Sequence, residues 1–348
     1  MILPLRRGPE VSLKKVAVLA SAALAASSVF LVVQPAQSAL VTRCTGDAGA
    51  VTVPGDLVVP ADRSCTLNGT TVLGNVRVLA GADLLADGAT LNGNLLVLSN
   101  AYADVIDSDV AGAVQGRSQF GVFVEESSVS GGVDQRNPRA NEFAPFVYTF
   151  SAEIDGNVSA RGGELLIEST TVSGDVFSID GEFTDVVDST LQDRLTVRNN
   201  VLGSVVCESE IYGNAEFTGN MGTLQIGGSG DAGPCDGASF WGGDVTFNNN
   251  NTEDGTGFQV SNNIVRGDLI GTGNTPLAVG EGNRVRGELL LEFGTAPAAA
   301  RMSAEAEATE VAQTRVEVIQ GKIADRRATA VKDAAKTPDD QVLVPGNS

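Results

Sequence analysis

The side chains able to do chemistry in this chain are few, and their types narrow what it could do. There is no His anywhere and no Lys between residues 40 and 294. Ser-His-Asp, Cys-His and lysine-base mechanisms are therefore excluded from that stretch, since each depends on a base the stretch lacks. Carboxylate pairs of the kind that hydrolyse glycosides remain. Asp104, Asp107 and Asp109 on one side and Asp185 and Asp188 on the other are the candidates. A body so rich in acids is expected to show such coincidences at random, and no residue is assigned a catalytic role. A cysteine-based metal site is not expected either, because no two of the four cysteines are close in sequence and His is absent. The run Asn248-Asn249-Asn250-Asn251-Thr252-Glu253-Asp254-Gly255 offers oxygen ligands without the alternating acids of a calcium loop, so it reads as a solvated polar turn. No cofactor is implied.

Aromatic residues are scarce except in one place. Phe143, Phe146, Tyr148 and Phe150 lie together with Pro138 and Pro145. Such a concentration suits a loop that stacks on sugar or grips a partner; the competing reading is a loop that lays its rings on a lateral face of the protein.

These groups have to be positioned by something, and the chain announces its scaffold by repetition. Gly55, Gly74, Gly93, Gly112 and Gly131 follow one another at intervals of nineteen residues. The pattern resumes at Gly156 and Gly174, weakens at Asp193, and continues at Gly213, Gly243, Gly267 and Gly287. Two residues before each anchor sits an apolar side chain, from Val53, Val72 and Leu91 to Trp241, Val265 and Val285, and two residues after it sits another. Alternation with period two is the signature of a strand. Four residues before the anchor the column is mostly small or hydroxylated, as at Thr70, Ala89, Ser108, Ser127 and Thr170, which suits a tight inner corner. The Asp/Asn row just after glycine, including Asp56, Asn75, Asn94, Asn157 and Asp175, reads as turn chemistry. A repeat this short cannot hold a strand and a crossover helix, and the Leu/Asn frame of a leucine-rich repeat is absent. The fold class is therefore all-β: a parallel β-helix, or β-solenoid, of about twelve rungs over residues 40–294, with right-handed crossovers expected. The rungs beginning at Gly131, Gly213 and Gly243 are overlong, and their extra residues are expected to be loops.

The ends differ from the body. Residues 1–39 hold basic residues (Arg6, Arg7, Lys14, Lys15), an apolar run from Val16 to Val33, and small residues up to Ala39. This order reads as a secretory signal peptide cleaved near Ser38 or Ala39, with an uncleaved anchor as the alternative. The mature chain is thus expected outside the cytosol, secreted or at the envelope, with no membrane span after cleavage. In that setting an even cysteine count favours disulfides, and Cys44 with Cys65 and Cys207 with Cys235 are each about one rung apart. Residues 40–294 contain 12 Arg against 34 Asp plus Glu, so nucleic acid and anionic membranes should be repelled. The exposed first edge of the stack needs cover, for which the disulfide-tied segment 40–65 is the candidate. Residues 295–336 are Ala-rich and charged, with Ala312, Val316, Ile319 and Ile323 on one helical face. That helix either folds back as a cap or protrudes, and residues 337–348 are expected to be disordered.

The Gly-Asn/Asp-Val/Leu rungs resemble the exported right-handed β-helix superfamily, which includes polysaccharide lyases, hydrolases, adhesins and structural proteins, and are distantly similar to those of bactofilins. No catalytic motif of the lyase or polygalacturonase branches is matched, so the resemblance carries no site with it. The expected function is that of an exported, non-enzymatic binding or structural protein of the envelope or extracellular space. Its partner would be an envelope polysaccharide or another envelope protein, and the alternative is a protein that binds or degrades polysaccharide with carboxylates. A ladder of threonines for ice binding begins at Thr52, Thr71 and Thr90 but is broken by Asp109.

Overall fold

A computed structural model of the chain describes residues 41–137, 144–230, 232–252, 257–294, 301–338 and 341–345, with only the backbone described for residues 301–317. The expected leader, 1–39, lies outside the described residues. The body is a parallel β-solenoid in which each turn contributes one strand to each of three sheets, faces A, B and C. In the turn that starts at Gly55 these are Asp56–Val59, Ser64–Asn68 and Thr71–Val72. Face A has 14 strands, face B 11 and face C 12, and successive neighbours are one turn apart in sequence except where the strand Leu343–Pro345 joins face A. Stacked equivalents pair in register, for example Leu57 with Val76 and Leu95 with Val114.

The alternation seen in the sequence sets which side chains point inward. Val72, Leu91, Ile154, Val172 and Leu191 line the inner side of face C, and Leu57, Val76, Leu95, Val158 and Val176 that of face A; all are buried in one continuous core. Toward the C-terminal end the core residues grow larger. Phe217 stacks on Phe247 with ring centroids 5.1 Å apart, and the Trp241 indole N–H is satisfied by Asn263 Oδ1 at 2.8 Å.

Three corner ladders tie each rung to the next through backbone amides. At the corner between faces C and A, amides of the Asp/Asn row donate to the side chain one rung back: Asn75 to Asp56 Oδ1 at 2.8 Å, Asn94 to Asn75 Oδ1 at 3.0 Å, Asp175 to Asn157 Oδ1 at 2.9 Å. Between faces B and C, the Ser108 amide donates to Ser127 Oγ at 3.0 Å and the Ser189 amide to Ser209 Oγ at 3.2 Å. A third ladder, Asn200, Asn220, Asn250 and Asn274, is buried or part-buried at the corner between faces A and B. These bonds matter because buried amides without partners are costly.

The anchor glycines are explained by close approach of the rungs. Their φ angles are not in the left-handed region; instead the backbones of successive rungs touch, and a Cβ on Gly93 would lie 2.5 Å from the Gly74 carbonyl oxygen. Left-handed residues occur five positions earlier, where Asp107, Glu126, Ser169 and Asp188 have φ of 47 to 48°. Short polar side chains tolerate that conformation best.

Two disulfides, Cys44–Cys65 and Cys207–Cys235, link residues with Cα atoms 5.6 Å apart in each case. In the chain-entropy model, closing loops of this size is worth about 3 kcal/mol each.

The C-terminal segment departs from the expected tail. The later half of the helix Arg301–Ala334 lies along face B, with Ile319 and Ile323 buried there. The side chains of Ala312 and Val316 lie outside the described residues. Gly321 within the helix has nothing within 4 Å of a Cβ position, so it costs helix propensity without aiding packing. Residues 343–345, expected to be disordered, form a strand, Leu343–Pro345, antiparallel to Val41–Cys44 with Thr42 opposite Pro345. Val342 is buried in the main core and its carbonyl accepts the Thr45 amide at 2.9 Å. On face A, therefore, the edge that segment 40–65 was expected to cover is closed by the C-terminal strand, because an unpaired row of amides and carbonyls at Val41–Cys44 is satisfied by it.

Candidate functional site

The chemistry-bearing side chains converge beneath the helix on the outer side of face B. Alternation turns Ala103, Val105, Val122 and Val124 inward, which leaves Asp83, Tyr102, Asp104, Phe123, Phe146, Tyr148 and Glu164 facing out. Those seven are nevertheless buried, the aromatic ones in a cluster with Ile319 and Ile323. The helix brings its cations to the carboxylates. Lys322 Nζ is 2.7 Å from Glu164 Oε1, Arg326 Nε is 2.7 Å from Asp83 Oδ1, and Arg327 grips Asp104 through both Nε and Nη2, the latter at 2.8 Å. Each guanidinium also lies over a ring, Arg326 at 4.9 Å from the centroid of Phe120 and Arg327 at 4.5 Å from that of Phe123. The Tyr148 hydroxyl donates to Glu164, and Asp333 at the end of the helix accepts the Ser64 amide at 3.1 Å. An open groove of about 550 Å³ remains beside Phe120, Phe146, Glu164, Glu182, Lys322 and Arg326.

Burial dominates the electrostatics. It pushes the carboxyls of Asp83 and Asp104 above their usual range against the pull of Arg326 and Arg327, and it raises Glu182, with the Glu164 charge adding to the effect. Burial also raises Glu168, with Asp188 beside it. A carboxyl whose folded-state pKa is raised binds its proton more tightly in the folded chain. Its contribution to stability is thus full below the unfolded value, near 3.8 for Asp and 4.5 for Glu, and is lost as pH rises through the folded value. Relief of self-repulsion in so acidic a body acts in the same direction. The thermal midpoint is therefore expected to be higher at about pH 5 than at about pH 7.5. A midpoint that falls steadily on acidification, measured by circular dichroism, would contradict this account.

The aromatic group singled out in the sequence is thereby located. Phe146, Tyr148 and Phe150 belong to a strand, Phe146–Phe150, in register with Gly121–Glu125, and not to a loop. Phe146 and Tyr148 are stacked at 4.3 Å and fully covered, and Phe150 is half-buried against Phe123. Phe143 lies outside the described residues. The acids are dispersed. Asp109 accepts a hydrogen bond from the Ser128 hydroxyl on face C, Asp188 one from Ser169, and Asp185 one from the Val205 amide. Asp104 and Asp185 share a column on face B but stand four ladder steps apart, through Phe123, Tyr148 and Leu166. That is roughly 19 Å at the spacing of neighbouring strands, well beyond the roughly 5–9.5 Å between the carboxylates of glycosidases. Among the described residues no group of three or more His, Cys, Asp or Glu side chains could hold a metal ion, and no helix is long and apolar enough to cross a membrane. Glu253 and Asp254 lie outside the described residues.

Sequence reasoning singled out Asp104 but missed Lys322, Arg326 and Arg327 and the other partners, Asp83 and Glu164. The available signal was a cationic cluster at helical spacing, together with acids at outward positions of otherwise apolar strands.

The chain is a parallel β-solenoid with a C-terminal helix docked along one face. Compared with known proteins, it matches no protein-family model, no curated protein and no solved structure.

Proposed function

We propose that this chain is an exported, non-enzymatic solenoid that acts as a binding or structural element of the cell envelope or extracellular space, in the manner of the β-helix superfamily it resembles. The observation that carries this reading is the way the chain secures its own scaffold. Its C-terminal strand closes the first edge of face A, and its helix occupies the aromatic and acidic strip of face B with four cation–carboxylate pairs, Arg327 reaching both Asp104 and Glu125. The carboxylates best placed for acid–base work are thus committed to holding the helix. Faces A and C remain as ruled surfaces with strands about 4.8 Å apart. Such a surface suits recognition of something long and repetitive.

The test is to incubate purified chain, beginning at Leu40, with isolated envelope fractions and a panel of polysaccharides. Retention without release of new reducing or unsaturated ends supports the reading. Release of such ends would replace it with the enzymatic one.

A further inference from the structure

On face A of the acidic body, positive charge is gathered into a column. Arg117, Arg136 and Arg161 stack in register at the ends of consecutive face A strands; Ile179 takes the next position and Arg198 the one after. Four of the 12 arginines between residues 40 and 294 thus share one outward column. Like charges directly opposite one another in a sheet destabilise it, so the column needs a reason. Its internal compensation is partial. Asp134 serves both Arg117 at 3.2 Å and Arg136 at 3.0 Å, Glu216 serves Arg198 at 2.7 Å, and Asp180, just beyond Ile179, is bound by Asn199. Arg161 is exposed and makes no ion pair among the described residues. Beside the column, on the same outer side, Phe177 sits in register between Ser159 and Thr196 and is half-buried. The result is an apolar platform of Phe177 and Ile179, with Arg161 on one side and Arg198 on the other.

We infer that this column is a binding site for an extended acidic polysaccharide. One sugar ring would lie on Phe177, and its neighbours' anionic groups would meet Arg161 and Arg198 or Arg136. The one-rung spacing of about 4.8 Å is comparable with the length of one pyranose in an extended chain, so charges repeating along the polymer meet charges repeating along the sheet. Planar guanidinium forks suit carboxylate and sulfate alike. The surrounding negative field disfavours a polyanion that lies anywhere else on the body, which confines binding to the column. The inference rests on the extracellular reading above, since that is where such polymers are met.

The experiment uses three derivatives of one backbone: carboxymethyl cellulose, cellulose sulfate and neutral hydroxyethyl cellulose. Affinity electrophoresis is expected to show binding to one or both charged polymers that weakens as salt rises, and none to the neutral one. Arg136→Gln/Arg161→Gln/Arg198→Gln should lose at least about tenfold in affinity, as expected when charge-assisted contacts are removed. Phe177→Ala should weaken binding as well. Arg266→Gln/Arg284→Gln/Arg286→Gln removes the same charge from the far end and should bind as the unaltered protein does. Circular dichroism establishes that each variant is folded. Absence of binding by the unaltered protein, equal losses in the two triple variants, or undiminished binding by the column variant would each overturn the inference. Tighter binding to single-stranded DNA than to either charged cellulose would overturn the assignment to polysaccharide. Retention on envelope fractions without binding to the charged celluloses would remove this inference and leave the broader function standing.

Discussion

Replacing Val172 by Asp is expected to prevent the chain from folding to its native state. Val172 is fully buried on the inner side of face C, with Ile154 below and Leu191 above it in register, both fully buried as well. No Lys or His exists in the solenoid to answer a charge there. An unpaired buried carboxylate, or the neutral acid it becomes by taking a proton, costs several kcal/mol, which rivals the whole stability of an ordinary domain. In a stack where each rung is held only by its neighbours, a defect at mid-length also removes support from both sides. The adjacent Thr171 points outward, so Thr171→Asp, which sets a carboxylate opposite Glu153, should cost no more than about 1 kcal/mol. Urea unfolding of the pair measures the register of the repeat directly. Equal tolerance of both substitutions would mean that the inward and outward assignments are wrong.

Replacing Arg327 by Ala should cost about 3 kcal/mol, the lower part of the range for breaking a buried ion pair, because the guanidinium keeps some contact with water. Asp104 is then left buried beneath the helix without its cation, and Phe123 loses the guanidinium above its ring. Undocking of the helix would return Asp104 to water, so the loss cannot exceed the free energy that docks it. Limited proteolysis across residues 318–338, combined with a melt, separates the two outcomes. Arg327→Leu combined with Asp104→Leu should recover much of the loss, since an apolar pair of similar volume leaves no orphaned charge. Unaltered proteolysis and melting in Arg327→Ala would show that the pair contributes nothing to docking.

How much of this was legible in the sequence depended on whether a feature obeyed the period. The inward columns two residues before and after the glycines are those observed up to the rung at Gly267, because alternation and a fixed repeat leave one register that buries apolar side chains; at the last anchor, Gly287, Leu289 is exposed. Even there the reason for glycine was not visible. Contact between one rung's backbone and the next is a property of stacking, and a single rung does not display it. The asparagine ladder at Asn200, Asn220, Asn250 and Asn274 was hidden because two of its intervals span overlong rungs. The arginine column was hidden by attention to net charge, although each member stands five residues after its anchor position.

The aromatic segment shows a different limit. Sequence places the extra residues of an overlong rung only somewhere between two anchors. The boundary between insertion and strand falls just before Phe146, so rings read as loop residues became part of a sheet. The partners of the helix and of residues 342–345 were beyond reach for a related reason. A three-residue strand and a weakly amphipathic helix carry little local signal, and what fixes them is a surface assembled from rungs far away in the chain.

That distance bears on how the molecule is completed. The Thr45 hydroxyl bonds to the Gln341 carbonyl across 296 residues of chain. During synthesis the first strand emerges early and its outer neighbour emerges only after every rung has been made. Until then the stack can grow in one direction while its starting edge stays adhesive. Bringing such remote segments together is slow relative to pairing of adjacent rungs, so closure is a late event in assembly. An interrupted chain that lacks residues 342–345 would carry an intact solenoid with an unfinished edge, able to pair with any other unfinished copy. The segment at 341–345 therefore seals the starting edge only after the last rung of the solenoid has been wound.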